Sequence, residues 1–89
     1  MGYRQEMIRW LSCCGSDDLE EMRFLLKNGE ATDDGYLQCR HGNYALRWLH
    51  GEAIPRSLCL KAAAFLRENN PAAFGLLADA MEGKVELPD

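Results

Sequence analysis

No stretch of the 89-residue sequence approaches the roughly 18 consecutive apolar residues that a membrane-crossing helix requires. The opening MGYRQEMIRW also lacks the apolar centre of a signal peptide, because Arg4, Glu6 and Arg9 interrupt it. Gly2 is not followed by the pattern that N-myristoylation prefers, since Gln5 and Glu6 stand where that motif favours other residues. A soluble, cytoplasmic chain without a membrane partner is the expectation. Cysteine spacing is equally restrictive. Cys13, Cys14, Cys39 and Cys59 include no C-x2-C pair. Cys39-x-His41 with Cys13 and Cys14 offers zinc-type ligands, but adjacent cysteines rarely both hold one ion in a small site, so no metal is expected. Cys59 falls inside a helical pattern, where a reduced thiol behaves as a small hydrophobe.

Catalytic signatures are missing too. There is no glycine-rich phosphate loop, no nucleophile elbow and no paired-carboxylate pattern, and His41 and His50 are far apart along the chain. The acids Asp17, Asp18, Glu20 and Glu21 read more simply as a charged helix start. The chain is therefore expected to be a non-enzyme without a cofactor. An excess of positive charge is also lacking: the formal net charge is −4. Its distribution is uneven, however. Residues 38–67 carry Arg40, Arg47, Arg56, Lys61 and Arg67 against Glu52 alone, between two acidic ends.

What is present is helical periodicity. Tyr3, Met7, Trp10 and Leu11 mark one face of a helix over 3–12, and Ser12 to Ser16 breaks it. Asp17 with Glu20 forms an acidic capping box for a helix over 17–28, and Leu19, Met22, Leu25 and Leu26 are expected on its buried face. Asn28-Gly29 ends that helix. Thr32 is placed to cap a short helix to Cys39, with Tyr36, Leu37 and Cys39 inward; an extended segment over 36–39 is the alternative. His41-Gly42-Asn43 is expected to turn the chain. A helix over 43–50 follows, with Ala45, Trp48 and Leu49 buried, closed by Gly51. Pro55 starts a helix to about Glu68 along Leu58, Ala62, Phe65 and Leu66. Asn70 and Pro71 open the last, along Phe74, Leu77, Ala78 and Met81, and Gly83 ends it. The expected fold is all-α, a compact bundle of five to six short helices. Residues 1–83 would form one domain, with 84–89 a loose tail. A core this small leaves stability marginal, which makes a homodimer possible.

Within that order, Arg47-Trp48-Leu49-His50-Gly51, then Pro55, then Leu58 to Leu66, resembles the closing half of a phage-repressor-type (Cro/C1-like) helix-turn-helix domain. Thr32-Asp33-Asp34-Gly35-Tyr36-Leu37 stands where that family carries a Thr-Gln-x-x-Leu-Ala run. The resemblance implies that 32–39 and 43–50 form the motif, with 43–50 entering the major groove of duplex DNA and regulating transcription. On that reading Asn43, Tyr44 and Arg47 reach base edges, and Arg40, His41 and Arg56 meet phosphates. The segment SDDLEEMRFLLKNG is also similar to the second helix of an ankyrin repeat, but nothing recurs at that repeat's period.

The competing expectation is an acidic helical adaptor or inhibitor that covers a partner protein, including a nucleic-acid-binding enzyme. Trp10, Asp17, Asp18, Glu20 and Glu21 would then form the contact surface. Met7, Trp10 and Met22 are candidates for an exposed apolar patch. The two readings place function in different thirds of the chain.

Overall fold

His41-Gly42-Asn43 does not turn the chain. These residues lie inside a single 17-residue helix, Asp33–Leu49, so the expected helices over 32–39 and 43–50 are one. The reason is tertiary. A glycine within a helix costs about 1 kcal/mol relative to alanine, yet Gly42 is buried where the chain after the first helix crosses it. A methyl group there would overlap the Ser16 hydroxyl and press on Ser16 Cβ, 3.1 Å away. Ser16 is only 1% exposed, and Asn43 Nδ2 donates to its carbonyl at 2.6 Å. Gly42 serves a close crossing, and Asn43 locks it.

The structure, a computed structural model, describes residues 2–13 and 16–88. It is all-α, with α1 (Tyr3–Cys13), α2 (Leu19–Lys27), α3 (Asp33–Leu49), α4 (Arg56–Asn69) and α5 (Pro71–Met81). Part of the expected break at Ser12 to Ser16 lies outside the described residues, as does Asp89 at the end of the expected tail. No described helix is long and apolar enough to cross a membrane.

Local signals set most helix ends. Asp18, one residue beyond the expected Asp17, caps α2 by accepting from the Glu21 N–H at 2.9 Å. Thr32 Oγ1 accepts from the Gly35 N–H at 3.0 Å and opens α3. Gly29 and Gly51, following α2 and α3, take φ of +77° and +86°, a region closed to most side chains. The Asn70 side chain accepts from the Ala73 N–H at 3.2 Å, and Pro71 fills the first turn of α5. Arg67 then ties α4 to α5 by pairing with both Asp79 and Glu82.

The core is built by four helices. Met7 and Leu11 of α1, Ala45, Leu46 and Leu49 of α3, Cys59, Ala62, Ala63 and Leu66 of α4, and Phe74, Leu77, Ala78 and Met81 of α5 form one buried cluster. The alanines at 45, 62, 63 and 78 let the helix backbones approach closely. The Tyr3 hydroxyl donates to the Ala73 carbonyl at 3.2 Å and accepts from the Leu77 N–H at 3.1 Å, joining α1 to the middle of α5. Arg4 Nη1 donates to the last carbonyl of α3, Leu49, at 2.5 Å.

Several burial expectations are corrected. Leu19, Met22, Leu25 and Leu26 were expected to be buried, yet α2 contains no buried residue. Leu37 is 39% exposed rather than inward. Trp48, Leu58 and Phe65 are half-buried, whereas Leu46, Cys59 and Ala63 complete the interior. Met7 belongs to the core and contributes nothing to a surface patch. Leu87, in the segment expected to be loose, packs partly against the core.

Candidate functional site

The long helix α3 carries two surfaces, because its neighbours α2 and α4 leave one face outward. Residues three and four apart share a helix face, and Arg40, Tyr44 and Arg47 have that spacing. Arg40 Nε donates to the Tyr44 hydroxyl at 3.0 Å, and its guanidinium carbon lies 5.8 Å from the centre of the Tyr44 ring. One turn earlier, Arg23 of α2 donates through Nε to the Tyr36 hydroxyl at 3.2 Å. Arg47 pairs with Glu52 at 3.3 Å, both side chains being about half exposed.

The structure does not bring the other expected DNA contacts to this face. Asn43 faces inward and is engaged with Ser16. His41 lies on the α4 side of α3, stacked on Phe65 with ring centres 4.5 Å apart. Its Nδ1 is buried without a hydrogen-bond partner. Burial, with the charges of Arg40 and Lys61, pushes its pKa down. A neutral, stacked imidazole is a poor phosphate contact. Arg56 is exposed at the first residue of α4, on another element. The continuity of α3 also removes the turn on which the helix-turn-helix arrangement of 32–39 and 43–50 depends.

The second surface surrounds α2. This helix packs chiefly against α3. Behind it lies a cleft of about 240 Å³ walled by Leu11, Met22, Cys39, Phe65, Leu66 and Phe74. Ser16, Gln38 and Asn69 are its polar members. On the outer side of α2, Phe24 is 62% exposed. Trp10, 41% exposed, packs its ring on Phe74 at 5.5 Å and so adjoins the cleft through a shared wall.

Acids border this region. The Cys39 thiol is pushed up first by burial and then by the carboxylates of Asp17 and Asp18, which places both within electrostatic reach of the cleft wall. Asp18 is committed to capping α2, while Glu20 and Glu21 are exposed in its first turn. From Asp17 to Asp34 the chain carries seven carboxylates against Arg23 and Lys27.

The cleft walls were not foreseen as a set, because Cys39, Phe65 and Phe74 come from three helices whose packing no local pattern specifies. Phe24 was legible: it falls off the Leu19-Met22-Leu25-Leu26 stripe, so any helix burying that stripe exposes it.

Among the described residues, no three His, Cys, Asp or Glu side chains gather where a metal ion could sit. Cys13 and Cys59 are free thiols, and Cys14 lies outside the described residues. No protein-family model, curated protein or solved structure matches this chain.

Proposed function

We propose that this chain is a non-enzymatic binding module whose partner is a protein, engaged through α2 and the cleft behind it. One observation carries the reading: an amphipathic helix buries none of its residues fully, exposes Phe24 on its outer side and borders an apolar cleft. An exposed Phe24 beside a half-covered apolar stripe is what a docking element offers, since burying a single large apolar side chain contributes about 1.5–3 kcal/mol. The cleft is smaller than the roughly 300–1,000 Å³ usual for small-molecule pockets. It suits one or two apolar side chains of a protein segment. The surrounding carboxylates select a segment that also carries lysine or arginine.

Selection of peptides from a randomised helical library against the folded chain tests this. The expected winners place cationic residues around a large apolar anchor. Their binding weakens on Phe24→Ser, and weakens with rising salt less steeply once Glu20→Gln and Glu21→Gln are introduced. Winners without cations, or binding indifferent to all three substitutions, would contradict the reading.

Duplex DNA is the second reading, favoured by the shared outward face of Arg40, Tyr44 and Arg47. It would be bound by the side of an unbroken helix, without a helix-turn-helix. Salt-sensitive binding to mixed duplex that Arg40→Ala with Arg47→Ala abolishes would support it. No binding at low salt would remove it.

A further inference from the structure

Arg23 and Arg40 differ from the ion-paired cations of this chain. Arg47 pairs with Glu52, Arg67 with Asp79 and Glu82, and Lys84 with Glu82. Arg23 and Arg40 instead use Nε on tyrosine hydroxyls, Tyr36 and Tyr44, and neither has a carboxylate within ion-pair distance among the described residues. Glu20, one turn before Arg23 on α2, is close enough to influence it electrostatically. The four side chains form one group. Tyr36, Arg40 and Tyr44 follow one another at four-residue steps on one face of α3, and Arg23 reaches that face through Tyr36. Arg23 is exposed, and Tyr36, Arg40 and Tyr44 are half-buried, so the group is open to solvent on one side.

We propose that Arg23 and Arg40, each steadied by a tyrosine hydroxyl, form a seat for a phosphate group. Arg23 and Arg40 are like charges with Glu20 near the Arg23 side alone, and a shared anion offsets the repulsion that remains. A guanidinium bonded through Nε keeps its Nη donors, and these match the spacing of phosphate oxygens as a fork. The tyrosines hold each fork in one orientation, which lowers the rotamer entropy lost on binding. This site is independent of the protein-partner reading, which concerns the cleft side of α2. The phosphate can belong to a free phosphoryl compound or to a nucleic-acid backbone.

The test is an NMR titration of the full chain, following the Arg Nε and Tyr ring signals. Its probes are inorganic phosphate, a mononucleotide and a short oligonucleotide. Saturable shifts confined to Arg23, Arg40, Tyr36 and Tyr44 are expected. Arg23→Gln with Arg40→Gln should abolish saturation. Tyr36→Phe with Tyr44→Phe should weaken binding about five- to tenfold. Arg23→Lys with Arg40→Lys keeps the charge and loses the fork, and should bind at least about tenfold more weakly than wild type. Circular dichroism confirms that each variant is folded. An oligonucleotide that binds tighter than the mononucleotide, with a steep salt dependence, identifies a backbone as the source. Similar affinity for mononucleotide and phosphate identifies a free phosphoryl compound. Linear, unsaturable shifts, or shifts equal in wild type and the glutamine variant, would overturn the proposal.

Discussion

α2 and α5 invert what their sequences suggest. α2, LEEMRFLLK, divides sharply into an apolar and a charged side and buries no residue. α5, PAAFGLLADAM, has Asp79 as its sole charge and buries Phe74, Leu77, Ala78, Ala80 and Met81. Periodicity states which side of a helix is apolar; it does not state what covers that side. α5 is covered because Asn70 and Pro71 fold it back on α4, Arg67 clamps the two together, and Tyr3 ties α1 to its middle. α2 is held by the crossing of Ser16 over Gly42, its link to α3 through Arg23 and Tyr36, and partial packing over a cleft. These ties are fewer than those of α5, and they leave the α2 stripe only half-covered.

Truncation separates the two helices most widely. Leu77→Ala should destabilise the chain by about 2–5 kcal/mol, and Leu25→Ala by less than about 1 kcal/mol, measured by denaturant unfolding. Equal losses would erase the contrast. Next in size is Gly42→Ala. Helix propensity alone would make it stabilising by about 1 kcal/mol, but the Ser16 contact predicts a net loss of about 1–3 kcal/mol. Faster proteolysis around residues 16–28, with α4 and α5 unaffected, would locate the damage. Tyr3→Phe removes a hydroxyl bonded at both ends and should cost about 1 kcal/mol, read from the same unfolding curves.

The smallest expected effect is in pH. Burial lowers the pKa of His41 from 6.5, so the folded state disfavours its charged form. Stability from this residue is complete above pH 6.5 and declines as pH falls below it toward the lower folded value. His41→Phe should remove that slope and keep the stack on Phe65. Unfolding midpoints between pH 7.5 and 5.5 decide it, and a slope that persists in the variant would assign the titration elsewhere.

Much of this fold was legible. Thr32, Asn70 with Pro71, and the glycines at 29, 51 and 83 mark helix ends through chemistry contained in a few neighbouring residues. The stripe Phe74, Leu77, Ala78 and Met81 is buried as its spacing indicates. The errors share a cause. Gly42 looks like a turn because local propensity cannot register Ser16, which is distant in sequence and adjacent in space. Asp17 and Asp18 are equally good caps by type, and backbone geometry chose the second. Of the expected DNA contacts, Arg40, Tyr44 and Arg47 share a face because helical spacing puts them there. Asn43 and His41 turn away because partners on other elements claim them. The Arg23–Tyr36 contact and the cleft both join elements that no sequence window spans.

The central question is whether α2 is a loosely held docking element. Hydrogen exchange of the whole chain, with and without the best cationic amphipathic peptide from the selection, measures this directly. The α2 amides should exchange through a low-energy local opening while α5 exchanges only with global unfolding. Peptide should then protect α2 well beyond the protection it gives α5. Exchange of α2 at the same rate as α5, unchanged by peptide, would show that α2 is structural and that its stripe has no partner.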